Sequence, residues 1–238
     1  NFVVSKGNIT QEAMPVISQW ANGWHGLDAL LDLWNVVLGL AVLFLSRCLG
    51  ILYFINNVSA VELLPRFRRR LMIESVCFVV FFVPFVIYVL LKDGFAVDAA
   101  SGIIVMESYK YLHNLMAMSW VLGLLLLGVV AVLFGLGRSI LCSTYNKGIW
   151  FAGVGTVLAV LALLLTVGYN NTAYYPSVAD LQSSLTLSNS CSSLFTLKTM
   201  AYVSVFIPFV LAYIIYAWRA IDRKPITADE MKESDHAY

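Results

Sequence analysis

Charge is what this chain most lacks. Only 12% of its 238 residues are Asp, Glu, Lys or Arg, about half the share usual in a water-soluble domain. Fifteen cations against fourteen acids leave a net +1, which gives nucleic-acid binding no electrostatic support, so no nucleic acid is expected as a partner. Histidine is nearly absent. His25, His113 and His236 are the three, and none sits at the centre of an apolar run. A haem buried in a bundle needs axial His, Met or Cys, so these positions offer no good haem site. The methionines are scattered and read as packing or lipid-facing residues. Cys48, Cys77, Cys142 and Cys191 have neither CxxC spacing nor His companions, which argues against zinc. Only Cys191 falls in a clearly external stretch, so no disulfide partner is evident. Walker loop, GxGxxG and GxSxG are all missing, and with them the usual marks of nucleotide binding and of a hydrolase nucleophile. The chain begins at Asn1 without the n-region or h-region of a signal peptide, as a processed chain or one whose amino-terminal part is missing would.

Apolar residues are what it has. They make up 60% of the chain and set a mean hydropathy of +0.81. A bilayer core needs about 20 apolar residues per helix. Five stretches meet that length: 33–55, 71–91, 115–136, 149–168 and 199–218. A lipid-exposed backbone must satisfy its own hydrogen bonds, and the alternation of a membrane β-barrel is absent, so all five are expected to be helices. The expected fold is all-α, a polytopic transmembrane bundle of five helices over 33–224. A segment before the first span (1–32), a loop at 169–197 and a tail at 225–238 complete it.

Lys and Arg are unevenly shared between the two sides. Arg66, Arg68, Arg69 and Arg70 follow the first span, Arg138 and Lys147 the third, and Arg219, Arg223 and Lys224 the fifth. Against these nine stand Lys6, Lys92, Lys110 and Lys198 on the other side. The positive-inside rule then puts Asn1 outside and Tyr238 in the cytoplasm. Trp20, Trp24 and Trp34 cluster before the first span, where an interfacial aromatic belt is the plainer reading and a ligand site the sharper one. The loop at 169–197 is polar and long, as functional loops and packed caps are. In the tail, 227–230 has capping-box spacing, so either a short helix or a solvated end is expected.

Two ionisable residues stand inside apolar runs. Arg47, near the middle of the first span, should face protein, water or an acidic partner. It reads either as a site on a proton path or beside a cofactor charge, or as a structural pairing between helices or subunits. Glu74, one turn inside the second span, reads as a proton-uptake group or, more plainly, as a partner for nearby arginines. Small residues spaced for close helix contact occur at Ala131/Gly135 and Gly155/Ala159. One internal echo joins Pro84, in Phe-Val-Pro-Phe-Val-Ile, to Pro208, in Phe-Ile-Pro-Phe-Val-Leu. Each proline would bend its helix.

More specific is an ordered set of motifs late in the chain. It runs Gly168-Tyr169-Asn170-Asn171-Thr172-Ala173-Tyr174-Tyr175-Pro176, then Ser183-Ser184-Leu185-Thr186, then Asn189-Ser190-Cys191-Ser192-Ser193 with Thr196-Leu197. Tyr216-Ala217-Trp218-Arg219 and Ile226-Thr227-Ala228-Asp229-Glu230 follow. This set closely resembles the carboxy-terminal end of subunit II of the bacterial cytochrome bd quinol oxidases. Leu30-Leu31-Asp32-Leu33-Trp34-Asn35 through Gly39 looks like the start of a later helix of that subunit. One departure is Ser190, where members often have a small apolar residue.

The resemblance implies a multi-pass protein of the bacterial cytoplasmic (inner) membrane. It would support a haem-bearing subunit I that carries haems b and d, oxidises a membrane quinol and reduces dioxygen to water. No cofactor is expected directly on this chain, though some members hold a quinone on subunit II. Expected partners are subunit I, membrane lipid and the quinol used by the complex. The family's subunit II has more helices than these five, so the resemblance implies others before Asn1. No catalytic residue is carried over, and Arg47 and Glu74 remain the candidate polar contacts. A secondary transporter or permease is the alternative, with Arg47, Glu74 and the two prolines along a solute or proton path. A non-catalytic assembly factor is a third.

Overall fold

The structure, a computed structural model, describes residues 1–6, 16–58, 62–98 and 100–221. Arg223, Lys224, the capping-box spacing at 227–230 and His236 lie outside them. Seven helices are present among the described residues: α1 (Leu33–Asn57), α2 (Leu64–Leu91), α3 (Lys110–Ala117), α4 (Ser119–Leu141), α5 (Gly148–Gly168), α6 (Leu194–Ser204) and α7 (Ile207–Ile221). Five candidate spans result, the fifth formed by α6 and α7 together. The chain is a multi-pass membrane protein built mostly of helix, with two small antiparallel hairpins added at one end. They pair β1 (Phe2–Lys6) with β2 (Val16–Trp20), and β3 (Gly94–Val97) with β4 (Ile104–Glu107).

Local chemistry sets most helix ends. Asp32 caps α1, its side chain accepting from Trp34 N at 2.8 Å. Pro65 stands in the first turn of α2, where its missing N–H costs nothing. At the end of α5 the chain turns off through Asn170 and Asn171, both left-handed with φ of 59° and 52°, a conformation asparagine tolerates. Ser193 caps α6 by accepting from Thr196 N at 3.3 Å. Pro208 sits in the first turn of α7, just after α6 ends at Ser204. Pro84 lies inside a single unbroken α2.

Three boundaries differ from the sequence expectation. The arginine run at 66–70 is not loop but the first two turns of α2. The third span begins at Ser119, because a separate short helix, α3, ends at Ala117 and Met118 leaves helical geometry (φ −103°, ψ 70°). The last span starts at Leu194, which brings Lys198 inside α6.

α1 packs on α2 and α4 on α5, and the two pairs close on a core of Cys48, Leu52, Ile55, Leu71, Phe78 and Val132. Buried positions on α5 are Gly148, Ala152, Gly155, Ala159, Ala162 and Thr166, in steps of four and three. On α4 the matching line is Val121, Leu125, Gly128, Val132, Gly135 and Ser139. Such a 3.5-residue repeat of small residues brings two backbones close without a large side chain between them. A Cβ on Gly155 would lie 2.7 Å from both Gly128 O and Val132 N. In contrast, α6 and α7 bury no residue, and Trp218 meets Tyr53 of α1 edge-on at 6.2 Å.

The hairpins and the loop after α5 form one cap. Val97 N donates to Asn171 O at 2.8 Å and Ala173 N to Phe95 O at 2.9 Å. Gln182 bonds both backbone groups of Ile104, at 3.0 and 2.8 Å. Ser177 Oγ donates to Phe2 O, and Val4 N to Ser183 Oγ at 2.8 Å. Ser190 donates to Thr186 O at 2.6 Å and lies 2.9 Å from the Tyr174 hydroxyl, so its polarity is satisfied. Beside β4, Glu107 pairs with His113 (2.9 Å) and Lys110 (3.2 Å). The hydrogen bond with His113, helped by Lys110, holds the Glu107 carboxyl below its usual range. A depressed carboxyl stabilises the fold above its unfolded pKa, and that contribution is lost as pH falls through the lower folded value. The protection factors of the β3 and β4 amides, taken relative to intrinsic exchange at each pH, are therefore expected to be lower below about pH 4 than at pH 7. Equal protection at both values would remove Glu107 from the cap's stability.

Candidate functional site

The two ionisable residues of the apolar runs come together. α1 and α2 are antiparallel, so Arg47, ten residues before the end of α1, stands level with Glu74, ten residues into α2. Arg47 Nη2 donates to Glu74 Oε1 at 2.7 Å. Arg70, one turn earlier on α2, brings its Nε to the same oxygen at 2.6 Å. Glu74 is 2% exposed, while Arg47 and Arg70 are 47% and 56% exposed. Glu74 thus lies two turns deeper in its helix than its apolar run suggested, between two cations. One level along the seam, Cys48 Sγ lies 3.7 Å from Ser75 Oγ. All four cysteines are free thiols.

A buried carboxylate between two guanidiniums is costly to disturb, because removing its charge leaves the cations facing each other. Glu74→Gln is expected to lower stability by on the order of 3 kcal/mol, the low end of that range, because both arginines are half exposed. Thermal unfolding of the purified complex checks this. A change below about 0.5 kcal/mol, the scale of an ordinary surface substitution, would mean the pair is incidental.

Two further polar residues were not singled out from the sequence. At the arginine end of the bundle, Arg68 is buried and donates to Ser139 O, Cys142 O (2.8 Å), Ser143 O (2.8 Å), Tyr145 O (3.2 Å) and Asn146 Oδ1 (3.0 Å). These are the open carbonyls of the last turn of α4 and of the turn into α5, where a cation also meets the negative end of the helix dipole. At the hairpin end, Asn114 of α3 is buried and donates to Thr166 O (3.0 Å), Tyr169 O (3.4 Å) and Thr172 Oγ1 (2.8 Å), and accepts from Asn170 (3.1 Å). One side chain from another helix therefore finishes the open end of α4, and another finishes that of α5. Arg68 is hidden in a run of four similar residues, and Asn114 in a short amphipathic helix, so neither carries a motif.

Between the α1–α2 and α4–α5 pairs lies an apolar cleft of about 110 Å³, lined among others by Leu45, Phe78, Phe82, Val132, Thr156 and Ala159. Its hydroxyl, on Thr156, already donates to Ala152 O at 2.7 Å, so the walls suit a hydrocarbon tail and offer no free donor for a polar head. His25 and His113 stand in the segments at the hairpin end, not inside a span. No group of three or more His, Cys, Asp or Glu that could hold a metal ion occurs among the described residues.

Compared with known families, residues 2–221 match the model of cytochrome bd terminal oxidase subunit II. The chain belongs to this family. No curated protein matches it. The match takes in the cap, all five spans and the three polar clusters at Glu74, Arg68 and Asn114. Subunit II chains belong to a haem-containing terminal oxidase, an enzymatic complex of the respiratory chain. The polar clusters at Glu74, Arg68 and Asn114 tie helices together.

Proposed function

We propose that this subunit II chain supports a haem-bearing subunit I, which oxidises a membrane quinol and reduces dioxygen to water, and that it is not itself catalytic. The observation carrying this is the family match over every span, joined to polar clusters at Glu74, Arg68 and Asn114 that tie one helix to another. Haems b and d belong on subunit I, because the histidines His25 and His113 do not fit axial ligation inside this bundle. In aerobic respiration the complex would take protons for water from the cytoplasm and release quinol protons outside. The arginine end of the bundle would be the cytoplasmic side of the inner membrane, a reading supported by the excess of Lys and Arg there. A quinone on this chain would place its tail in the apolar cleft and its head outside it. Arg47 and Glu74 are the polar contact within the spans that matters for assembly. Their bond to each other favours a structural pairing between helices over a solute path.

The test is gentle purification of the full native protein through a tag on this chain. Reduced b-type and d-type bands with a larger partner are expected, and Arg47→Leu is expected to lower haem content or oxidase rate. A colourless single chain that binds a solute would overturn the oxidase reading. Unchanged assembly, haem and rate in Arg47→Leu would remove the residue from it.

A further inference from the structure

Two cations and one acid meet on the α1–α2 seam, so the cluster carries one positive charge in excess. The carboxylate faces inward and the guanidiniums outward. Among the described residues no second carboxylate pairs with Arg47 or Arg70. The depth of the cluster is also defined. Arg70 closes the run begun by Arg66, and Glu74 is the only charged residue over 71–91. Arg70 therefore marks where α2 passes from the headgroup layer into hydrocarbon, and Glu74 lies one turn, about 6 Å, below it. Arg47 reaches the same level from α1. An arginine at that depth extends towards the phosphates rather than staying among acyl chains. The surface around it is apolar. Phe44 stacks on Phe81 at 5.6 Å to one side, and Phe54 on Phe67 at 5.9 Å to the other. Leu43, Met72 and Ile73 are exposed beside them.

We propose that Arg47 and Arg70 together bind the phosphate of an anionic phospholipid whose acyl chains lie along this aromatic seam. A phosphodiester carries a single negative charge and balances the excess, and guanidinium N–H groups match phosphate oxygens in pairs. Basic clusters at the cytoplasmic edge of membrane helices recognise lipid headgroups in this way. A carboxylate from another protein chain is the competing occupant, and it is disfavoured because Arg70 stands at the edge of the headgroup layer and Arg47, one turn below, is long enough to extend to it. The contact needs the bilayer and is independent of oxidase chemistry.

The test uses the complex with which the chain purifies, as wild type, Arg70→Gln and Arg69→Gln. Each is titrated with phosphatidylglycerol or phosphatidylcholine in mixed micelles, or with inorganic phosphate alone. Unfolding temperature and retained lipid by native mass spectrometry are read. Phosphatidylglycerol is expected to raise the wild-type unfolding temperature saturably, and the other two additives are not. Arg70→Gln, which keeps the Arg47–Glu74 bond, should weaken that response about tenfold, and Arg69→Gln should not. An undiminished response in Arg70→Gln, an equal response to phosphatidylcholine, or the same shift from inorganic phosphate would overturn the proposal. Loss of a partner chain from Arg70→Gln whatever the lipid would overturn it in favour of a protein contact. If Arg70→Gln does not accumulate, photoreactive phosphatidylglycerol on the wild-type complex decides. Label on the peptides holding Arg47 or Arg70 supports the site, and label confined elsewhere removes it.

Discussion

Arg68→Ala is expected to be among the most damaging single substitutions in the chain, at about 3 kcal/mol or more of stability. One buried guanidinium holds four backbone carbonyls and the side-chain oxygen of Asn146. A hydrogen bond to a charged group contributes roughly 1.5–3 kcal/mol, and a buried carbonyl left without a donor costs about 1–3 kcal/mol. Alanine would remove all five bonds together, and water can reach only part of what is left. The expected sequel is fraying of the last turn of α4 and loss of the turn that starts α5. Because α4 and α5 form the closest helix pair, damage there spreads to the interface between them. Arg68→Lys should recover part of the loss, because an ammonium keeps the charge at the helix end but offers three donors from one point rather than a planar fork. Unfolding temperature and membrane yield read the order wild type, Lys, Ala. Equal values for Arg68→Ala and the exposed Arg69→Ala would show that burial of this guanidinium has no energetic consequence.

That prediction is out of reach of sequence reasoning, and the reason is physical. The spans are legible because twenty apolar residues in a row have few other uses. Where a helix begins is less legible, because hydropathy falls at the first charge whether or not the backbone stays helical. The arginine run therefore looked like loop, yet it forms two turns of α2. Counting cations by side treats Arg66, Arg68, Arg69 and Arg70 as equal, and only three-dimensional packing sets Arg68 apart. Arg47 and Glu74 show the opposite case. Each could be seen to need a partner, but that they meet each other depends on the register of two antiparallel helices, which no local pattern encodes. Strands of four or five residues, as in β3 and β1, are too short for a clear period, so the hairpins escaped an all-α expectation. Met118 breaks the helix between α3 and α4 inside an apolar stretch whose composition does not change there.

Glycine at 155 should prove nearly irreplaceable, whereas its neighbour two residues away should not matter. A Cβ at Gly155 would stand 2.7 Å from Gly128 O and Val132 N and 2.9 Å from the Ala131 Cβ. Two of these are backbone atoms of α4 and cannot rotate aside. The helices would have to separate, and the matched approach at Gly128, where a Cβ would lie 2.6 Å from Ala159 N, would open with them. Overpacking a well-filled interior costs about 1–3 kcal/mol, and in lipid no hydrophobic effect drives the pair back together. Gly155→Ala is expected at the lower end of that range and Gly155→Val beyond its upper end. At Gly153 a Cβ meets nothing within 4 Å, so Gly153→Ala should be neutral or slightly stabilising, since alanine favours helix by up to about 1 kcal/mol. The comparison isolates the interface, because both sites lie on the same helix and both changes add the same atom. Assembled complex per unit membrane, read from haem absorption and from unfolding temperature, should fall for Gly155→Ala, fall further for Gly155→Val, and hold for Gly153→Ala. If both fell alike, the α5 backbone itself would be the sensitive element. If neither fell, the close approach of α4 and α5 would not be what holds this half of the bundle.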